Sequence, residues 1–149
     1  MTVENLAMRD SLLNSILKEM LIDEKIMFIS SDFGSPVLDE MRKLHSDKFI
    51  NVGVAEQNLI NVSVGFALEG YKVFSYAIAP FISMRCLEQI RVSVCLLSET
   101  RPMNINLIGV GTGYSYTVSG PTHQCYEDLS IMFYESRYNT KVEDFGCLQ

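Results

Sequence analysis

Glu56 follows Gly53-Val54-Ala55 and opens a largely apolar stretch, so a carboxylate stands where a strand hands over to a helix. A helix N-terminus favours an acid by about 0.3–1 kcal/mol through the macrodipole, which is reason enough for its presence. A partly buried carboxyl group there can also donate or share a proton near neutrality, as general acid–base chemistry requires. Phe81, in Ala77-Ile78-Ala79-Pro80-Phe81, is a core residue or a face on which a flat heteroaromatic ring stacks. His123 ends the segment Gly109–His123 and is a capping residue, or a partner to Glu56 if both share a cleft. Gly109-Val110-Gly111-Thr112-Gly113 invites a phosphate-loop reading. No helix begins at once, however, no P-loop Lys follows, and no ribose-binding acid lies about twenty residues on. The chain has no G-x-S-x-G elbow and no H-E-x-x-H, so neither hydrolase triads nor zinc proteases are supported.

These residues need elements to position them. Leu6, Leu13, Ile16, Leu17 and Met20 recur at helical spacing within Asn5–Leu21, and Val37, Leu38, Met41 and Leu44 form a second stripe. Ile26–Ile29, Phe49–Val52, Lys72–Tyr76 and Ile105–Val110 read as strands. Glu56–Glu69 reads as a helix closed by Gly70, Pro80–Ser98 as a long helix with Pro near its start, and Thr122–Phe133 as another. Strands alternating with helices predict an α/β fold, a parallel sheet with helices on both faces, as one domain over residues 1–149. In such sheets a ligand sits beyond the carboxyl ends of the strands, where Ser30–Ser35, Gly53–Gln57, Ala77–Phe81 and Gly109–His123 meet.

Composition narrows the function. The net charge of −6 leaves no global basic footprint, so neither nucleic acid nor an anionic membrane is expected as a partner. Cys86, Cys95, Cys125 and Cys147 include no C-x-x-C pair, and with two histidines in the chain no structural metal site is expected. Cys86 and Cys95 sit in apolar stretches and read as small buried hydrophobes of a reducing compartment. Glu4 and Asp10 precede any long apolar run, and no run approaches the ~18 residues of a membrane helix, so a soluble, cytoplasmic protein is expected. His45, in Lys43-Leu44-His45-Ser46, reads as a solvated helix end.

Phe49-Ile50-Asn51-Val52-Gly53-Val54-Ala55-Glu56-Gln57-Asn58 resembles the pyrimidine-binding domain of transketolase-like, thiamine-diphosphate-dependent enzymes. The resemblance continues through Glu88-Gln89-Ile90-Arg91 and Gly120-Pro121-Thr122-His123-Gln124 and weakens over Tyr138–Gln149. It implies that Glu56 hydrogen-bonds N1′ of the coenzyme's aminopyrimidine, promoting the imino tautomer whose 4′-nitrogen removes the thiazolium C2 proton. It further implies that Phe81 stacks on the pyrimidine beside Ile78 and Met84, that Asp32 is an acid near the cofactor, and that His123 faces the reacting end. The family's diphosphate-binding domain holds Mg²⁺ through a Gly-Asp-Gly motif, which these 149 residues lack.

The implied function is therefore the pyrimidine-binding half of a transketolase-like transferase moving a two-carbon ketol or related unit. It would be inactive alone and complete a site with a diphosphate-binding transketolase subunit, as a homodimer or heterotetramer, on a small sugar or oxoacid substrate. Two departures concern substrate rather than cofactor. Gly111 stands where many transketolases carry a substrate-contacting histidine, and Ser119 replaces an acid beside the Gly-Pro-Thr-His stretch. The alternatives are a pyruvate-dehydrogenase beta-type subunit acting on a 2-oxoacid, and a non-catalytic binding module that kept the fold.

Overall fold

A computed structural model describes residues 7–135 of the chain. Four strands, β1 (Ile26–Ser30), β2 (Phe49–Asn51), β3 (Lys72–Ile78) and β4 (Asn104–Val110), form one sheet in the order β2-β1-β3-β4. Every pairing is parallel, and Phe28 of β1 faces Phe49 of β2 on one side and Phe74 of β3 on the other. All five residues of β1 are buried, as a central parallel strand covered on both faces must be, which explains the apolar run Ile26–Ile29.

Side-chain alternation divides the interior in two. Met27 and Ile29 of β1 join Val73 and Ala77 of β3 against Leu59, Ile60 and Val64 of α3 (Glu56–Leu68). Ile26 and Phe28 instead join Tyr76 against Leu13, Leu17 and Met20 of α1 (Met8–Ile22) and Leu38 and Met41 of α2 (Pro36–Leu44). Helices thus cover both faces. Ser35 caps α2, accepting a hydrogen bond from the Leu38 N–H at 3.3 Å, and Pro36 fills the first helical position. Beneath α3 the Ser63 and Ser75 hydroxyls, both fully buried, bond each other at 2.7 Å. The pair fixes the rotation of the helix that begins at Glu56.

The strand order reverses direction at β1. The chain leaves β1 toward β2 through α2, then returns across the sheet through α3 to reach β3. The two crossovers lie on opposite faces, which makes the carboxyl ends of β1 and β3 the switch point where an open α/β sheet places its ligand crevice.

Three local expectations are corrected. Pro80–Ser98 is not one regular helix: α4 (Ala79–Ser83) stops, a turn follows over residues 84–86, and α5 (Leu87–Gln89) runs into a wide-turn segment, Ile90–Leu96. The Ser83 hydroxyl donates to the Ala79 carbonyl at 2.6 Å and the Cys86 thiol to the Phe81 carbonyl at 3.2 Å. Such bonds take helix carbonyls away from the regular ladder and bend it. The expected helix Thr122–Phe133 begins only at Asp128, as α6 (Asp128–Glu135). Before it, Gly120–Thr122 makes one tight turn, and Cys125 pairs antiparallel with Gly113, holding that stretch extended. His45 is buried rather than solvated: it follows α2, its backbone N–H donating to the Met41 carbonyl and its carbonyl accepting from the Lys48 N–H, where the chain turns back toward β2. Tyr138–Gln149, with Cys147, lies outside the described residues.

Candidate functional site at the carboxyl edge of the sheet

The turn from β2 into α3 is built from its own polar groups. The Asn51 side-chain carbonyl accepts from the Gly53 N–H at 2.8 Å, and Gly53 takes φ +78°, a conformation that penalises any residue with a Cβ. The turn is tied to the neighbouring loop: the Asp32 N–H donates to the Gly53 carbonyl at 3.0 Å, and Asn51 Nδ2 donates to Asp32 Oδ1 at 3.3 Å. Asp32 itself is exposed, and its contacts brace the turn that launches Glu56.

Glu56 is the first residue of α3 and only 3% exposed. An ionised carboxylate at such depth must be paired. Its partner is Arg85, whose Nη1 donates to Glu56 Oε2 at 2.6 Å from the turn that ends α4. The same guanidinium lies over the Phe81 ring, 4.4 Å from its centroid. His123 meets that ring edge-on, 5.2 Å between centroids, and Tyr116 follows at 6.1 Å from His123. Glu56, Arg85, Phe81, His123 and Tyr116 therefore make a continuous chain of contacts along the crevice. The Thr122 hydroxyl lies 2.9 Å from His123 Nδ1, a hydrogen bond in which either atom donates according to the ring tautomer, and 3.4 Å from the Ser119 carbonyl.

Of the residues singled out from sequence, the structure brings Glu56, Phe81 and His123 together. Ile78 is half-buried at the end of β3, three residues before Phe81, and Met84 is exposed on the turn after α4. Asp32 reaches the cluster only through Asn51 and the turn. Sequence reasoning missed Arg85. The spacing Phe81-x-x-x-Arg85, one helical turn, was the available signal, since it sets a cation beside an aromatic face.

The Gly109–Gly113 stretch forms no phosphate cradle. It leads into the bridge to Cys125, and Gly111 at φ +75° leaves the space of a missing Cβ to the Tyr116 ring. Cys86, packed beneath the cluster, has its thiol pushed up to about 12, chiefly by burial and then by the negative charge of Glu56. Among the described residues no group of three or more His, Cys, Asp or Glu side chains is arranged to hold a metal ion. Among the same residues no helix is long and apolar enough to cross a membrane.

A buried acid at a helix start, an aromatic face one strand away and a histidine at the rim form a cleft suited to a flat, hydrogen-bonding ring. The family model described as "Transketolase, pyrimidine binding domain" matches residues 4–136, and the chain belongs to that family. Among its relatives is an apulose-4-phosphate transketolase subunit of Phocaeicola vulgatus, 30% identical over 128 residues, a match covering 85% of this chain and 40% of the relative. The 6-deoxy-6-sulfo-D-fructose transketolase subunit SqwH of a Clostridium species is 29% identical over 126 residues, covering 84% of this chain and 38% of the relative. A solved structure described as "Split gene transketolase, inactive beta4 tetramer" superposes with a TM-score of 0.71 at 27% identity, over 87% of this chain and 40% of that one. The chain thus spans about two-fifths of the length of these relatives.

Proposed function

We propose that the chain is the domain that binds and activates the aminopyrimidine of thiamine diphosphate in a split, transketolase-like enzyme, whose diphosphate-binding subunit supplies Mg²⁺. The observation that carries this reading is Glu56, buried at the start of α3 and linked through a planar cation to the face of Phe81. A flat group that hydrogen-bonds Glu56 and stacks on Phe81 fits this cleft, because the Arg85 guanidinium already makes both contacts there.

In this reading Glu56 shares a proton with the ring nitrogen, Phe81 holds the ring's orientation, and His123 faces the reacting end. Asp32 acts through Asn51 and Gly53 as a positioning residue for the turn that carries Glu56. Ile78 and Met84 flank the ring. When bound, the coenzyme supplies the carbon nucleophile that breaks and makes bonds beside a carbonyl, while the protein binds, orients and moves protons. Ketol transfer is favoured over 2-oxoacid chemistry because the relatives matched carry transketolase names. The departure at Gly111 points to a donor other than the common sugar phosphates.

Glu56→Gln, in the complete protein assembled with its partner subunit, should lower kcat by about a hundredfold or more, the usual weight of a positioned acid–base group. Circular dichroism should remain unchanged. Exchange of the coenzyme's C2 proton, followed by NMR, separates the roles: unchanged exchange in the variant removes Glu56 from activation.

A further inference from the structure

We propose that Arg85 is a removable plug: in the cofactor-free protein its guanidinium occupies the place of the aminopyrimidine ring, and cofactor entry expels it. The inference rests on the reading of Glu56 and Phe81 just given and extends it to the state before loading.

Three observations carry it. The guanidinium is flat, donates to Glu56 Oε2 at 2.6 Å and lies 4.4 Å over Phe81, so it satisfies the two groups that would otherwise receive the ring. The two ends of the contact differ in exposure: the Glu56 side chain is 4% exposed and the Arg85 side chain 43%. The acid is fixed at its helix start, whereas the cation can swing into water by rotating its own side-chain torsions. Finally, Arg85 stands on the turn of residues 84–86, where the helix is interrupted, rather than within a packed element.

Physically, a buried carboxylate without a partner is costly, so an empty cleft needs a temporary cation to remain folded around Glu56. The same contact competes with the ligand. The population with Arg85 swung out is the binding-competent one, and the apparent affinity is reduced by the fraction of time the plug is seated. Cofactor loading thus replaces one hydrogen-bond donor by another, and Glu56 is left unpaired only in the brief swung-out state that admits the ring.

The test uses the complete protein with its partner subunit, titrated with thiamine diphosphate and Mg²⁺ in a calorimeter. Arg85→Gln should bind the coenzyme about tenfold more tightly, a shift within reach of one charge-assisted contact. Its melting temperature should fall below wild type when empty and recover when saturated, because only the empty state used the plug. Arg85→Lys keeps the charge but loses the flat guanidinium over Phe81 and should lie between. It also serves if Arg85→Gln fails to fold. A merely structural ion pair predicts lower stability in both states and equal or weaker binding in both variants, and that result overturns the plug. Glu56→Gln and Phe81→Ala are the controls: if they weaken binding while the Arg85 variants do not strengthen it, the plug fails and the cofactor reading stands. If they leave affinity unchanged, the cofactor reading falls and takes the plug with it.

Discussion

Cys86 condenses the electrostatics of the cleft into one side chain. Its thiol titrates near 12 instead of the ordinary 9.0 because burial disfavours the thiolate and the Glu56 charge adds to that effect. Above pH 9 the unfolded chain releases this proton while the folded chain keeps it, so stability should decline between about pH 9 and 12. Urea melts across that range should show the decline, and Cys86→Ala should flatten it while costing about 1 kcal/mol or more at neutral pH for the cavity left. Part of the slope above pH 10 should persist, because the buried Tyr76 phenol is also shifted upward by burial. Alkylating reagents at pH 8 should label Cys86 only on unfolding. That Glu56, Phe81 and His123 lie near one another was legible in sequence because Glu56 and Phe81 follow strands, His123 ends the long loop after β4, and the ends of parallel strands converge. For Arg85 the spacing from Phe81 was the one signal, and its contact with Glu56, across 29 positions, comes only from the packing of α3 beside α4.

Among the elements, the loop after β4 is tightly constrained at Gly111. Gly111 holds φ +75°, and a Cβ there would overlap the Tyr116 ring, which stands next to His123. Gly111→Ala should cost about 1–3 kcal/mol from backbone strain and overpacking together. Tyr116→Ala in the same chain should recover the overlap portion and leave the backbone portion, which paired thermal melts would separate. A histidine at 111, as in many transketolases, requires this loop to take another path. Element boundaries were legible wherever periodicity and caps agreed, as at Ser35-Pro36 and Gly70. They were not legible in Pro80–Ser98, where the residues are compatible with helix and the break comes from Ser83 and Cys86 bonding back to carbonyls. The stretch before Asp128 failed for a similar reason: the bridge between Gly113 and Cys125 overrides the local preference of Thr122–Glu127.

At the scale of the molecule, the parallel sheet with helices on both faces followed from alternation alone. The strand order did not, because the pattern is silent on which side of β1 each later strand joins. The loops at the carboxyl edge carry Val54, 77% exposed, Tyr114, 68%, and Val118, fully exposed. If a diphosphate-binding subunit closes the cleft, it covers this rim. Hydroxyl-radical footprinting should then show Tyr114 and Val118 protected on assembly, and Leu21 and Ile22, at the end of α1, unprotected. Equal labelling of both regions, free and assembled, would count against closure from that edge.

The central position of β1 also governs how the chain comes into being on the ribosome. Its apolar run, Ile26–Ile29, cannot be sheathed on both edges until β3 has been synthesised, because Phe28 needs Phe74 as well as Phe49 beside it. Among the described residues the strands of the sheet pair in parallel with no hairpin as a local foothold, and contacts distant in sequence form slowly. The nascent polypeptide therefore carries a sticky, half-zipped ribbon until β3 emerges. Holdase chaperones that engage such ribbons should be needed most while β3 is still being made.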